Sequence, residues 1–419
     1  MEERPDILKL NIVQAKFGDC MILEFGSEEQ KPHYILIDGG PEGTYDNHLS
    51  ATLQSTRPGG DGSKKTLDII IASHVDDDHV IGLIDFLADL RYRREEAKNS
   101  RMDDKNIISV GSLWHNSFSK TLQEEEEEQE DDTSSRSSNN SVNIHSRVES
   151  LLERMQYSSS SPSSSSKNNF AAAKAAIMGI DEGRQLHLLA GILGIVINPG
   201  FPKGLVLVEE EKEEEEARNP IKIDNLTLRI IGPTKANLEE LRNKWRKWVE
   251  KYETADISEP SIAAVADKSI PNLSSIVVLA EADGKRVLIT GDARGDHIID
   301  GLRLASGGLF DDNDDRHMHV DVLKVPHHGS ARNVTKAFFK ALTSDMYIIS
   351  ADGRYGNPDF STLKWIVEAA QERQSTIKII ATNETPAIRK LIQDYPQEQS
   401  GYSIMVMDKN ADYLDIQVV

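Results

Sequence analysis

The sequence predicts a mixed α/β fold, a four-layer αβ/βα sandwich built as one domain over residues 1–419, with a low-complexity insert at 123–169. Three observations predict it. Strand-like runs fall into two β-rich halves, each flanked by segments of helical periodicity. Leu67–Ala72 (LDIIIA) is an apolar run interrupted only by Asp68, as expected of a strand buried on both faces. Several predicted strands end directly in Asp or His, the position where α/β sheets present reactive groups. A singly wound Rossmann sheet accounts less well for two such halves.

The elements follow in order. Leu8–Val13, Cys20–Phe25 and Tyr34–Ile37 read as a β-meander joined by turn residues, the third strand running into Asp38-Gly39-Gly40. Asp46–Thr56 reads as a helix, Leu67–Ala72 as a strand and Val80–Leu90 as a helix. Asn106–Trp114 is a strand ending at His115-Asn116. The insert is acidic and then Ser-rich, too polar to offset its ordering entropy, so disorder is expected there, with a short helix near Val148–Met155. Phe170–Leu193 is helical, and Gly204–Val208 and Ile221–Ile231 are strands. Asn237–Tyr252 is a helix with Leu238, Leu241, Trp245 and Trp248 near one face. Ser274–Ala280 and Arg286–Thr290 form a hairpin across Ala282-Asp283-Gly284. Asp296–Leu304, Lys336–Leu342 and Thr362–Arg373 are helices; Val320–Val325, Met346–Ser350, Thr376–Ala381, Ser403–Val406 and Leu414–Val418 are strands.

Composition narrows the function classes. The formal net charge is −21, but two acidic tracts supply most of it. Glu124–Glu128, Glu130, Asp131 and Asp132 contribute −8 and Glu209–Glu216 contributes −6, which leaves −7 for the rest. A mildly acidic body argues against a non-specific nucleic-acid binder, and still permits an enzyme that meets phosphate with a metal and a few local cations. The single cysteine, Cys20, excludes an intramolecular disulfide and a cysteine-rich zinc site. No signal peptide is visible in MEERPDILKL, and the most apolar run, the 12 residues Leu186–Ile197, is too short to span a bilayer. The expectation is a soluble cytoplasmic protein with no membrane association.

The chemistry centres on Ser73-His74-Val75-Asp76-Asp77-Asp78-His79, directly after the buried strand. Imidazole nitrogen with carboxylate oxygen suits zinc, and also manganese or iron. A solvated acidic loop that happens to contain two histidines is the alternative. Further strand-end signals count against it: Leu36-Ile37-Asp38-Gly39-Gly40, Leu288-Ile289-Thr290-Gly291-Asp292 and Leu323-Lys324-Val325-Pro326-His327-His328-Gly329-Ser330. A lone strand-end Asp is usually a cap, and a lone His pair is usually structural. Their occurrence in one chain is more specific than any one of them. His319 reads as a surface residue.

These motifs, with Gly18-Asp19, Asn272-Leu273-Ser274-Ser275 and Ser350-Ala351-Asp352-Gly353 leading to Gly356-Asn357-Pro358, resemble the metallo-β-lactamase superfamily, and within it the soluble hydrolase domain of late-competence DNA-uptake proteins. The resemblance runs from Leu8 to about Ile380. It implies that His74 and Asp76 bind a first metal, that Asp78 and His79 bind a second, and that Asp292 bridges them. One of His327 and His328 completes the second site. Asp19 and Asp38 orient ligands. The implied cofactor is two zinc ions, with manganese as the alternative. The usual second His of the loop is Asp76 here, which hardens the site toward manganese or magnesium. The remaining His of the first site has no clear match; His115, at a strand end, and His187, in a helical segment, are its candidates, and Asn357 stands where the competence family has a His.

The functional expectation is therefore a metallo-hydrolase using metal-activated water, with Asp78 and Asp292 as its catalytic carboxylates. Its expected substrate is a small-molecule or nucleic-acid phosphodiester. Hydrolysis of a lactone, thioester or β-lactam is a second reading, since one fold hosts many chemistries. A metal-binding interaction protein without turnover is the third.

Overall fold

The computed structural model describes residues 6–27, 31–56, 65–100, 107–122, 147, 150, 181–208, 220–252, 272–305 and 318–418. The expected insert, including most of the short helix proposed near Val148–Met155, lies outside them, as does the tract Glu209–Glu216. Among the described residues, no helix is long and apolar enough to cross a membrane.

The first half supplies β1 (Asp6–Val13), β2 (Met21–Ser27), β3 (His33–Ile37), β4 (Thr66–Ala72), β5 (Ser109–His115) and β6 (Val196–Ile197). The second supplies β7 (Ile221–Ile223), β8 (Leu226–Gly232), β9 (Val277–Ala282), β10 (Lys285–Ile289), β11 (Met318–Lys324), β12 (Leu342–Ile349), β13 (Ile377–Ala381) and β14 (Tyr402–Val406). β15 (Tyr413–Gln417) then crosses back to pair antiparallel with β1. Two mixed sheets result, with orders β15-β1-β2-β3-β4-β5-β6 and β14-β13-β12-β11-β10-β9-β8-β7. Each begins as an antiparallel meander and continues as parallel strands, from β3 onward in the first and from β10 onward in the second. The parallel portions bring strand carboxyl ends to one edge, which is where the motif residues lie.

The chain is an α/β sandwich, and its layers follow from side-chain alternation. Along β4, Ile69 and Ile71 face inward with Leu10, Ile12 and Ile35, and meet Val278, Ala280, Val322 and Ile348 of the other sheet. Ile70 faces outward with Ile22, Leu36 and Leu113, in a cluster that Leu67 at the start of the strand also joins. There they are covered by Val80, Leu83 and Leu87 of helix Asp77–Ser100 and by Leu186 and Ala190 of helix 181–193. On the far side, Leu279, Leu323 and Tyr347 pack against Ile298, Phe338, Phe339, Leu363, Ile366 and Ile388 of the helices that follow β10 to β13. The apolarity of Leu67 and Ile69–Ala72 thus answers to burial on both faces, each buried Ile or Leu contributing about 1.5–3 kcal/mol of transfer free energy.

Two local expectations are corrected and two are borne out with added detail. Ile221–Ile231 is a hairpin of β7 and β8, because Asp224 takes a left-handed conformation (φ 51°) and turns the chain. Gly204–Val208 is not a strand: Val206 N donates to Asn116 Oδ1 (2.8 Å) and Val208 N to Pro233 O (3.0 Å), so its backbone is satisfied by loops. The helix expected at Asp46–Thr56 is a π-turn, Tyr45–Leu49, running into a short α-helix, Ser50–Ser55. In helix Lys235–Tyr252 the buried stripe is Leu238, Leu241, Trp245 and Val249; the Trp248 side chain is outside the described residues.

Candidate metal centre

The strand ends converge where the two sheets meet. The link is direct: Ile276 N, leading into β9, donates to Ser73 O beyond β4 (2.8 Å). Helix Asp77–Ser100 begins immediately over the end of β3. A Cβ on Gly82 would lie 1.9 Å from Gly39 O, so only glycine permits this approach. Gly39 N donates to His79 O (2.7 Å), which seats His79 over Asp38.

Each imidazole is oriented by the nitrogen that points away from the centre. His79 Nδ1 is 2.8 Å from Asp38 Oδ2, and Asp38 is held in turn by Ser73 N and Ser73 Oγ, both at 2.7 Å. His328 Nδ1 donates to Ser350 O (2.8 Å). His74 Nδ1 lies 3.1 Å from Ser73 Oγ. The Nε2 atoms of His74, His79 and His328 are then left buried and without hydrogen-bond partners, as is Asp292 Oδ1. Buried polar atoms are rarely left in this state. They also face one another: His79 Nε2 is 3.3 Å and His328 Nε2 3.5 Å from Asp292 Oδ1, and His328 Nε2 is 3.3 Å from Asp78 Oδ2. Asp19, His79, Asp292 and His328 each offer one ligand atom, all lying within 4.8 Å of one another. His74 Nε2 lies by the other carboxylate oxygen of Asp292, 3.9 Å from its Oδ2, and 3.7 Å from Asp76 Oδ2.

The electrostatics call for a cation. Asp19, Asp38, Asp76, Asp78 and Asp292 gather around this cluster with one lysine, Lys324, which is fully buried. Lys324 pairs with Asp19 and lies 3.9 Å from Asp292 Oδ1, and its Nζ also donates to Gly291 O (3.0 Å). Burial pushes the Asp76 carboxyl well above its usual range, and the nearby Asp78 and Asp292 push it further. For Asp292 burial acts upward too, but His327, His328 and His79 outweigh it and hold the carboxyl well below its usual range. Burial opposes protonation of His328, yet Asp292 and Asp19 raise its pKa to about 10. His79 is raised well above its usual value, Asp292, Asp38 and Asp78 outweighing its burial. Without an ion, protons must supply the missing positive charge, as buried unpaired carboxylates are costly. The donor set of imidazole nitrogen and carboxylate oxygen fits zinc or manganese.

The two histidines left open by the sequence have different surroundings. His328 is buried and aims Nε2 into the cluster. His327 is 29% exposed; its Nε2 is 3.5 Å from Asp292 Oδ2 and its Nδ1 3.3 Å from Asn272 Nδ2. Asp19, expected only to orient ligands, lies within the cluster itself. Asn357 reaches His327, its Nδ2 3.5 Å from His327 O. His115 is buried at the end of β5 but does not belong to the four-residue group; helix 181–193 packs over it at Gly183, and burial lowers its pKa to about 4. His187, the other candidate, is on the exposed side of that helix. Ser73 and Ser350, which stand in the sequence motifs without an expected role, hold Asp38 and His328. A second group, His319, Asp321 and Asp345, also lies within 4.8 Å. It is at the surface, and Asp321 is already engaged by Lys285 Nζ and Arg286 N, both at 2.8 Å. No known family model matches the chain. The site therefore stands on its own geometry: a buried cluster of Asp and His able to hold a metal ion.

Proposed function

We propose that this chain is a metal-dependent hydrolase of the metallo-β-lactamase superfamily that acts on a phosphodiester. The observation that carries the reading is the convergence of three unpartnered imidazole Nε2 atoms and Asp292 in one buried, acidic centre. The order of the motifs along the chain and the two-sheet sandwich support it.

Asp78, His79, Asp292 and His328 would hold one ion, and His74, Asp76 and Asp292 a second. Such ions supply Lewis acidity, making hydroxide available near neutral pH and polarising the centre under attack. The protein's residues do the rest. Asp38 and Ser350 fix the imidazole tautomers. Lys324 and Asp19 hold the floor of the site and keep a fixed charge beside Asp292. His327, being partly exposed next to Asp292, is placed at the mouth.

Elemental analysis of the purified chain followed by an assay with bis-p-nitrophenyl phosphate tests the reading. Bound zinc or manganese and metal-stimulated turnover are expected, and Asp292→Asn should abolish both. Full turnover in Asp292→Asn, or none in the wild type with either ion, would refute it; bound metal without turnover leaves the metal-binding interaction protein.

A further inference from the structure

We propose that Phe17, Arg354 and Tyr355 form a nucleobase-stacking subsite at the rim of this centre, taking one unpaired base of a short single-stranded nucleic acid. The proposal rests on the phosphodiester reading above and names its substrate class.

Two short segments carry the three side chains. The Arg354 guanidinium lies 4.3 Å from the Phe17 ring centroid. The Phe17 and Tyr355 rings meet edge to face, with centroids 5.4 Å apart and planes at 89°. Tyr355 is 66% exposed and Arg354 is exposed beside it. Gly353 and Gly356 both take positive φ (86° and 85°), and Gly356 N donates to Gly353 O (3.0 Å). That tight turn puts Arg354 and Tyr355 at its tip.

Both segments are tied to the metal centre. Phe17 precedes Asp19 by two residues and Tyr355 precedes Asn357 by two, a backbone reach of about 7 Å at most. Ser350 Oγ donates to Gly18 O (2.5 Å), and the Ser350 carbonyl accepts from His328 Nδ1 (2.8 Å). One serine therefore fixes the Phe17 loop relative to a candidate ligand.

The combination selects a substrate class. An exposed aromatic ring with an adjacent guanidinium is a recurring element that binds single-stranded nucleic acid; here Tyr355 offers the exposed face, half-buried Phe17 braces its ring edge to face, and Arg354 lies over the Phe17 ring. A lactone or simple thioester presents neither a flat π-system nor a phosphate. The acidic body of the chain limits the number of phosphate contacts, which fits a short strand rather than a long duplex.

The test is fluorescence anisotropy of the full chain in EDTA, with 5′-fluorescein hexathymidylate and an abasic deoxyribose-phosphate oligomer of the same length. Hexathymidylate should bind about tenfold more tightly than the abasic strand. Tyr355→Ala should erase that difference and leave abasic affinity unchanged, Tyr355→Phe should retain it, and Arg354→Gln should weaken both probes. Equal binding of the two strands, or a base preference that survives both Tyr355→Ala and Phe17→Leu, overturns the subsite. Cleavage is measured separately with zinc. Phosphodiester cleavage without any base preference removes the subsite and spares the hydrolase; a Tyr355-dependent base preference without cleavage removes the hydrolase and spares the subsite.

Discussion

Replacing Lys324 with Met isolates the internal countercharge of the centre. Lys324 is fully buried, and its ammonium pairs with Asp19, which is itself fully buried. Methionine keeps much of the aliphatic stem and removes the charge and the donor. Asp19 then loses its lysine partner, Gly291 O loses a donor at 3.0 Å, and Asp292 loses the positive charge 3.9 Å away. Removing one partner of a buried ion pair costs about 3–5 kcal/mol, since the other charge is left uncompensated. At about 2 °C per kcal/mol, the value for large domains, Tm should fall by about 6–10 °C. Adding Asp19→Asn should restore most of the loss, because the pair is then removed together. Thermal unfolding in EDTA of the wild type, both single variants and the double variant gives the coupling energy directly. A coupling below about 1 kcal/mol would refute the reasoning, for it would mean that Lys324 contributes through its stem alone.

Three further outcomes follow from the same geometry. Asp38→Asn should weaken zinc binding by about 10- to 100-fold in chelator competition, because the His79 tautomer is no longer fixed by a carboxylate; unchanged affinity would separate Asp38 from the site. Zinc binding at pH 7 should release protons into a weakly buffered solution, since the ion must displace those held by His328, with its pKa raised to about 10, and by His79. The same raised His328 pKa stabilises the metal-free fold fully below the unfolded value of about 6.5, and that contribution is lost as pH rises toward about 10. Metal-free protein whose stability is flat across that window would contradict the assignment.

Much of this molecule is legible in short stretches of sequence. Leu67–Ala72 declares a doubly buried strand because every residue in it but Asp68 is apolar, and β4 packs both ways. The hairpin across Asp283-Gly284 is written in residues that tolerate positive φ, which both adopt. Where local patterning misled, a distant partner had the stronger claim. Val206 has strand-like neighbours, yet its amide goes to Asn116, 90 residues away. Ile221–Ile231 reads as one strand until Asp224 turns it.

The candidate centre divides in the same way. The sequence by itself determined that His74, Asp76, Asp78, His79, Asp292 and a His pair stand at the ends of strands, because strand and motif are adjacent in the chain. Only the tertiary structure decided which of them meet. His327 and His328 are neighbours in sequence, and both take a left-handed backbone (φ 48° and 54°). That turn points His328 into the cluster and leaves His327 partly exposed. Asp19 joins the cluster through Lys324 on the opposite sheet, and helix 181–193 covers His115 outside it. Those outcomes depend on the packing of two sheets contributed by separate halves of the chain, and a local stretch of sequence carries no record of the distances between its own side chains and those of the other half.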